Sequence, residues 1–226
     1  VRNDVSMPCE CRRNEQRRKR TAQLLDHFRE EAGALASCTL ENFDTERSLS
    51  GNVEWDDGQF TPEQQRAALR HVHHLLSEYV QQPGDWCYLA GPYGSGKSHL
   101  AAAVANALAY QEWTVSYASL PELLAFIRTG FKDGSSEQRL NALKGADFLV
   151  LDDVGTEMLT DWSEETLFRI VNQRYLHNRA TFFTSNMRLD DLDQPRLASR
   201  IRGKAIGDDG EVLLVAGDCR RKRGKR

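Results

Sequence analysis

One eight-residue string constrains this 226-residue chain more than any other feature: Gly91-Pro-Tyr-Gly-Ser-Gly-Lys97-Ser98. Glycines at 91, 94 and 96 let the backbone curl so that successive N–H groups point inward. An apolar run at 86–90 precedes the string, and an alanine-rich helical stretch follows it. A strand that feeds such a loop, and a loop that feeds a helix N-terminus, gather donors and partial positive charge around an anion. The string satisfies the G-x-x-x-x-G-K-[ST] spacing, in which the lysine reaches the β- and γ-phosphates and the hydroxyl ligates Mg²⁺. ATP and Mg²⁺ are therefore the expected ligands. Gly91, Pro92, Tyr93, Gly94, Ser95, Gly96, Lys97, Ser98 and the adjoining His99 are the expected nucleotide-binding residues.

The surrounding pattern agrees. Apolar runs recur at 114–118, 147–151 and 180–184, and helical stretches fall near 97–110, 121–128, 136–144 and 163–178. A last run, 212–215, is a candidate fifth strand. Apolar strands alternating with helices imply a parallel sheet covered on both faces, an α/β three-layer core. Upstream, Thr61-Pro62-Glu63 marks a helix start, with Thr61 as cap and Pro62 at the first helical position. Leu69, Val72, Leu76 and Tyr79 then form one apolar stripe. Residues 44–61, rich in Asp, Glu, Ser and Gly, read as a connector.

Two further strand ends carry chemistry. Phe148-Leu-Val-Leu-Asp152-Asp153 closes an apolar run with two carboxylates. An acidic pair after a strand is usually a turn or a helix cap. Beside a phosphate loop it has another reading, because ligands sit at the C-terminal ends of parallel strands. Asp152 is then expected to hold Mg²⁺ through water, and Asp153 to orient and deprotonate the attacking water. The next strand ends Thr184-Ser185-Asn186, where the Asn186 amide suits the lytic water or the γ-phosphate. Arg196 and Arg200 follow four residues apart, on one helical face. They read as a solvated basic face or as an arginine finger for a neighbouring subunit's ATP.

Charge and composition narrow the class. Hydrophobic residues at 40% and charged residues at 28% suit a globular chain, and no apolar run nears the ~18 residues of a membrane span. The first twenty residues are basic without a hydrophobic centre, so no signal peptide is expected. Five scattered cysteines do not make a disulfide framework, and a cytoplasmic location is expected. The net charge of −3 hides a segregation. Residues 1–20 hold seven basic and three acidic residues, and residues 220–226 hold six basic and no acidic ones. The body between carries 17 basic and 30 acidic residues. Such ends are either plain solvated runs or tails that meet phosphate or an acidic partner. The chain opens on Val1 rather than Met, which leaves room for upstream residues.

The order GPYGSGKS, FLVLDD, TSN, RLASR resembles the AAA+ ATPases. A finer resemblance is to bacterial replicative-helicase loaders of the DnaC/DnaI type and to the transposition ATPase IstB. It rests on Thr39-Leu-Glu-Asn-Phe43-Asp44, Trp86-Cys-Tyr-Leu-Ala-Gly-Pro and Leu151-Asp-Asp-Val-Gly155 with Glu157. Asn172-Gln-Arg174-Tyr175 and Gly217-Asp-Cys-Arg-Arg221 extend it, so that it covers roughly residues 39–221. The resemblance implies a P-loop NTPase core over 39–226, preceded by a basic helical region over 1–38 that meets the helicase. It makes Lys97 and Ser98 the Walker A pair, Asp152 and Asp153 the Walker B pair, and Asn186 sensor 1. Arg200, or Arg196, becomes the arginine finger, and Arg221 becomes sensor 2.

Two departures matter. Asp153 stands where many AAA+ proteins carry Glu, so slow hydrolysis is expected. Only 40 residues follow Asn186, too few for a full helical lid, and Cys219 replaces the family's serine near Arg221. Cys9-x-Cys11 resembles half of the zinc module of some loaders; two cysteines are half of zinc's four ligands, so no zinc is expected. Leu123-Leu-Ala-Phe126-Ile-Arg128-Thr-Gly-Phe131-Lys132 falls where initiator and loader ATPases line a pore for single-stranded DNA. Arg128, Phe131 and Lys132 suit base stacking and phosphate pairing, or serve as ordinary surface around core Leu123, Leu124 and Phe126. The implied function is an ATP-dependent loader of the hexameric replicative helicase onto single-stranded DNA, self-associating through ATP and needing no membrane. The rivals are an IstB-like transposase helper and an ATP-switched DNA-binding assembly module with negligible turnover.

Overall fold

The computed structural model describes Lys19 and residues 33–49, 51–155 and 160–217. The basic N-terminal region, Cys9 and Cys11, and the tail that carries Arg221 lie outside the described residues, apart from Lys19 and the short 3-10 turn Gly33–Ser37.

Five strands form one parallel sheet: β3 (Cys87–Ala90), β4 (Val115–Ser119), β5 (Phe148–Asp152), β6 (Ala180–Ser185) and β7 (Val212–Leu213). Their spatial order is β4-β5-β6-β3-β7. Helices α1 (Pro62–Gln81) and α2 (Lys97–Tyr110) cover one face, and α3 (Leu120–Thr129), α4 (Ser136–Gly145), α5 (Asp161–Leu176) and α6 (Pro195–Arg202) the other. The alternation of side chains along a strand explains the two cores. Leu149, Leu151 and Phe183 pack under α3–α6, whereas Phe148, Val150 and Phe182 pack against α1 and α2. This is the expected three-layer α/β core. Among the described residues, no helix is long and apolar enough to cross a membrane.

Local chemistry sets the helix starts. Thr61 and Gln64 form a reciprocal capping box on α1 behind Pro62, and Ser119 and Glu122 do the same on α3. Register then positions the site. Ala90 pairs with Ser185, and Leu151 with Phe183, so β3, β5 and β6 end at one level.

Two expectations need correction. The stretch 44–61 is not merely a connector, because β1 (Val53–Trp55) and β2 (Gly58–Phe60) pair antiparallel across Asp56-Asp57. Asp56 takes the left-handed conformation (φ 53°) that such a tight turn demands. The run 212–215 yields only the two-residue β7; beyond it, the Leu214 N–H donates to the Ala90 carbonyl at 2.8 Å.

Arg174 is the buried polar hub. It has no exposed surface, and burial pulls its guanidinium down to about 9. Its Nη1 donates to the carbonyls of Leu143 and Ala146, its Nη2 to Ala180, and its Nε to Thr181 Oγ1. The fork therefore caps the end of α4 and ties it to α5 and β6. Arg174→Met should cost about 3–5 kcal/mol in urea unfolding, since several buried acceptors lose their donor together. Arg174→Lys, a point charge without the fork, should recover less than half of that loss.

Candidate functional site

The phosphate loop runs from the end of β3 into α2. Gly91 donates its N–H to the Ser185 carbonyl at 3.1 Å, and a Cβ there would lie 2.2 Å from the Leu214 carbonyl oxygen. Gly96 caps α2 at φ 105°, and its Cβ would meet the Phe43 ring at 2.7 Å. Both positions therefore require glycine. Tyr93 is 71% exposed at the loop's crest, and Ser95 is fully buried.

Lys97, Asp153 and Asn186 form one chain of contacts. Lys97 Nζ donates to the carbonyls of Gly91 and Pro92 at 2.8 and 2.9 Å, and to Asn186 Oδ1 at 2.8 Å. Asn186 Nδ2 in turn donates to Asp153 Oδ1. Burial lowers the Lys97 ammonium to about 8, against the opposing pull of Asp153 and Asp152. Asp153 itself sits at φ 60°, its N–H bonded to Thr184 Oγ1 at 2.8 Å. A non-glycine residue in that conformation needs such support, and it aims the carboxylate off the strand.

Asp152 faces the other way along the loop. Ser98 Oγ donates to Asp152 Oδ1 at 3.0 Å, and Thr184 Oγ1 donates to the same oxygen. A hydroxyl and a carboxylate held together at a phosphate cradle are hard oxygen donors, the set that Mg²⁺ prefers. The residues present thus fit both the nucleotide and the cation.

Two residues at the site, Arg47 and Trp55, escape a reading by motif, and the expected residues Phe43 and His99 are engaged beside them. Arg47 Nη2 bonds the carbonyls of Ser95 and Gly217, which ties the former connector to the loop. Phe43 packs edge-on to His99 and parallel to His73. His99 places its Nε2 3.2 Å from the Thr39 carbonyl, so its ring is engaged by the segment before the core. Trp55 Nε1 donates to the Asn186 carbonyl at 3.1 Å, which holds the Asn186 backbone from the hairpin side. The signal for Trp55 was an Asp-Asp-Gly turn between apolar residues; Arg47 had none.

The remaining candidates sit on the other layer. Arg200 Nε bonds Asn172 Oδ1 at 3.1 Å, and its guanidinium lies 4.8 Å from the Tyr175 ring centre. Arg196 lies 3.9 Å over Phe168. Both therefore rest on α5. Arg128 stands 4.8 Å over Trp162, whose ring is also 6.0 Å from that of Phe131. Phe131 is 59% exposed and Lys132 is exposed, so this corner offers two aromatics and two cations together. Trp162 is its unforeseen member.

The family model for IstB-like ATP binding proteins matches residues 22–226. The chain belongs to that family. It is 34% identical over 128 residues to the replicative helicase loader DnaI of Bacillus subtilis, covering 56% of this chain and 41% of that protein. It is 25% identical over 200 residues to the replicative helicase loader DnaC of Escherichia coli, covering 81% of each. A crystal structure of DnaI superposes on 83% of this chain and 93% of that one with a TM-score of 0.62 at 23% identity, a likeness of fold. The match to the first relative thus spans well under half of its length, whereas the match to the second spans most of it.

Membership in an ATP-binding family gives the site geometry a direct test. Lys97→Ala should abolish measurable ATP binding in an equilibrium titration. Asp153→Asn should bind ATP like the native protein while phosphate release falls about 10²–10⁴-fold.

Proposed function

We propose that the protein is an ATPase that loads the replicative DNA helicase onto single-stranded DNA. The observation that carries the catalytic part is the Lys97–Asn186–Asp153 chain beside the Ser98–Asp152 pair. The similarity to two named helicase loaders supports the loading part.

Each residue has a task in this reading. Loop N–H groups and the start of α2 hold the phosphates, and Lys97 exchanges its loop carbonyls for β- and γ-phosphate oxygens. Ser98 and Asp152 hold Mg²⁺, which supplies positive charge to the phosphate oxygens. Released from Lys97, Asn186 continues to orient Asp153. The Asp153 carboxylate takes a proton from water as the water oxygen bonds to the γ-phosphorus. The bond to the bridging oxygen breaks, and its electron pair leaves with ADP. The short arm of Asp153 keeps this step slow. Arg200 leaves Tyr175 and Asn172 to reach the nucleotide of a neighbouring copy, and Arg221 approaches from the C-terminal segment. Arg128, Phe131 and Lys132, backed by Trp162, contact single-stranded DNA.

A second reading, an ATPase helper of a DNA transposase, draws support from the IstB-like family and from similarity to a putative insertion sequence ATP-binding protein. The partner decides between them. Immobilised protein should retain a hexameric replicative helicase with ATP, and lose it with Lys97→Ala. Retention of a transposase in place of the helicase would replace the loader reading.

A further inference from the structure

A second concave site lies away from the nucleotide residues. A cavity of about 250 Å³ opens between α5 and α6. Exposed Asp161, Glu164 and Glu165 stand at its rim, and Leu167, Phe168 and Leu197 make its floor. Among the described residues, none of the three carboxylates is ion-paired. Asp161 and Glu164 suit the first turn of a helix on dipole grounds alone. Gln194 has no such explanation. It lines the same cavity, is 9% exposed, and its buried Oε1 accepts from no donor among the described residues. The cation at the rim, Arg196, stands 3.9 Å over the Phe168 ring. Three carboxylates against the single guanidinium of Arg196 leave the rim net negative, above a floor that suits an alkyl stem. The matching ligand is an ammonium or guanidinium side chain.

We propose that this cavity receives a basic side chain from residues Lys222–Arg226 of a second copy of the chain. The proposal rests on the reading that copies assemble around ATP. Charge complementarity favours this occupant, since residues 220–226 hold six basic and no acidic residues. Geometry favours a neighbouring copy. Gly217, the last described residue before the tail, donates its N–H to Gln65 on α1 and accepts from Arg47 beside the phosphate loop. The tail therefore starts on the nucleotide side, whereas the cavity lies in the opposite helical layer, beside Arg200. Head-to-tail association sets opposite faces of two copies together. A chain of nine residues, the length of 218–226, reaches at most about 30 Å.

Two measurements test this. In the first, a fluorescent peptide of residues 218–226 is titrated, without nucleotide, into full-length protein whose own tail carries Lys222→Glu, Arg223→Glu, Lys225→Glu and Arg226→Glu. Adding Glu164→Lys and Glu165→Lys, both on the surface, should weaken peptide binding at least tenfold. Gln194→Leu should weaken it several-fold. Equal affinity for intact and reversed cavities overturns the site. In the second, sedimentation with ATP should show weaker self-association for either reversal alone and recovery when both are combined in one chain. Wild-type assembly by the tail-reversed protein overturns the second copy as the source, as does peptide competition by the chain's own tail in a monomer. A native protein that does not assemble with ATP refutes the assembly reading and the second-copy source, while the peptide titration still judges the cavity.

Discussion

Everything chemical here depends on three parallel strands that stop at the same level. Because Ala90 lies beside Ser185 and Leu151 beside Phe183, Gly91, Asp152, Asp153 and Asn186 emerge together from one end of the sheet. A one-residue slip of β6 would turn its side chains over. Thr184 shows the consequence of correct register. Its hydroxyl holds both the Asp152 carboxylate and the Asp153 backbone, so one side chain positions both acidic residues.

Within that frame, Asn186 is shared. Its amide oxygen accepts from Lys97, its amide nitrogen donates to Asp153, and its carbonyl accepts from Trp55. Burial disfavours the Lys97 charge, and the carboxylates of Asp153 and Asp152 oppose that cost. Phosphate oxygens are stronger acceptors than peptide carbonyls, which makes nucleotide the natural replacement. In the proposed reaction that exchange frees half of Asn186 and links occupancy to the orientation of Asp153. Trp55 extends the same linkage to the β1–β2 hairpin.

The fold was legible because its signals are periodic and long. Apolar runs, the Thr61 cap and the glycine string each reflect a local rule that the packed structure keeps. The site was legible where chemistry needs consecutive residues, as in Gly91–Ser98 and Asp152-Asp153. It was not legible where contacts join distant positions. Arg47 meets Ser95 across 48 residues and Gly217 across 170, and nothing local in a polar stretch announces either contact. The hairpin hid because its strands are three residues long and its turn is two aspartates. Arg174 was visible only as part of a resembling motif. Its burial beneath α4 explains why arginine is required there.

The central claim is that Asn186 serves Asp153 in catalysis and Lys97 only before nucleotide arrives. Asn186→Ala separates the two roles. ATP affinity by equilibrium titration and phosphate release by steady-state assay, measured on the same preparation, give the answer. The account predicts ATP affinity equal to or tighter than native, with release at saturating ATP reduced about 10²-fold as Asp153 loses its orienting partner. Weakened ATP binding with an undiminished rate at saturation would contradict it.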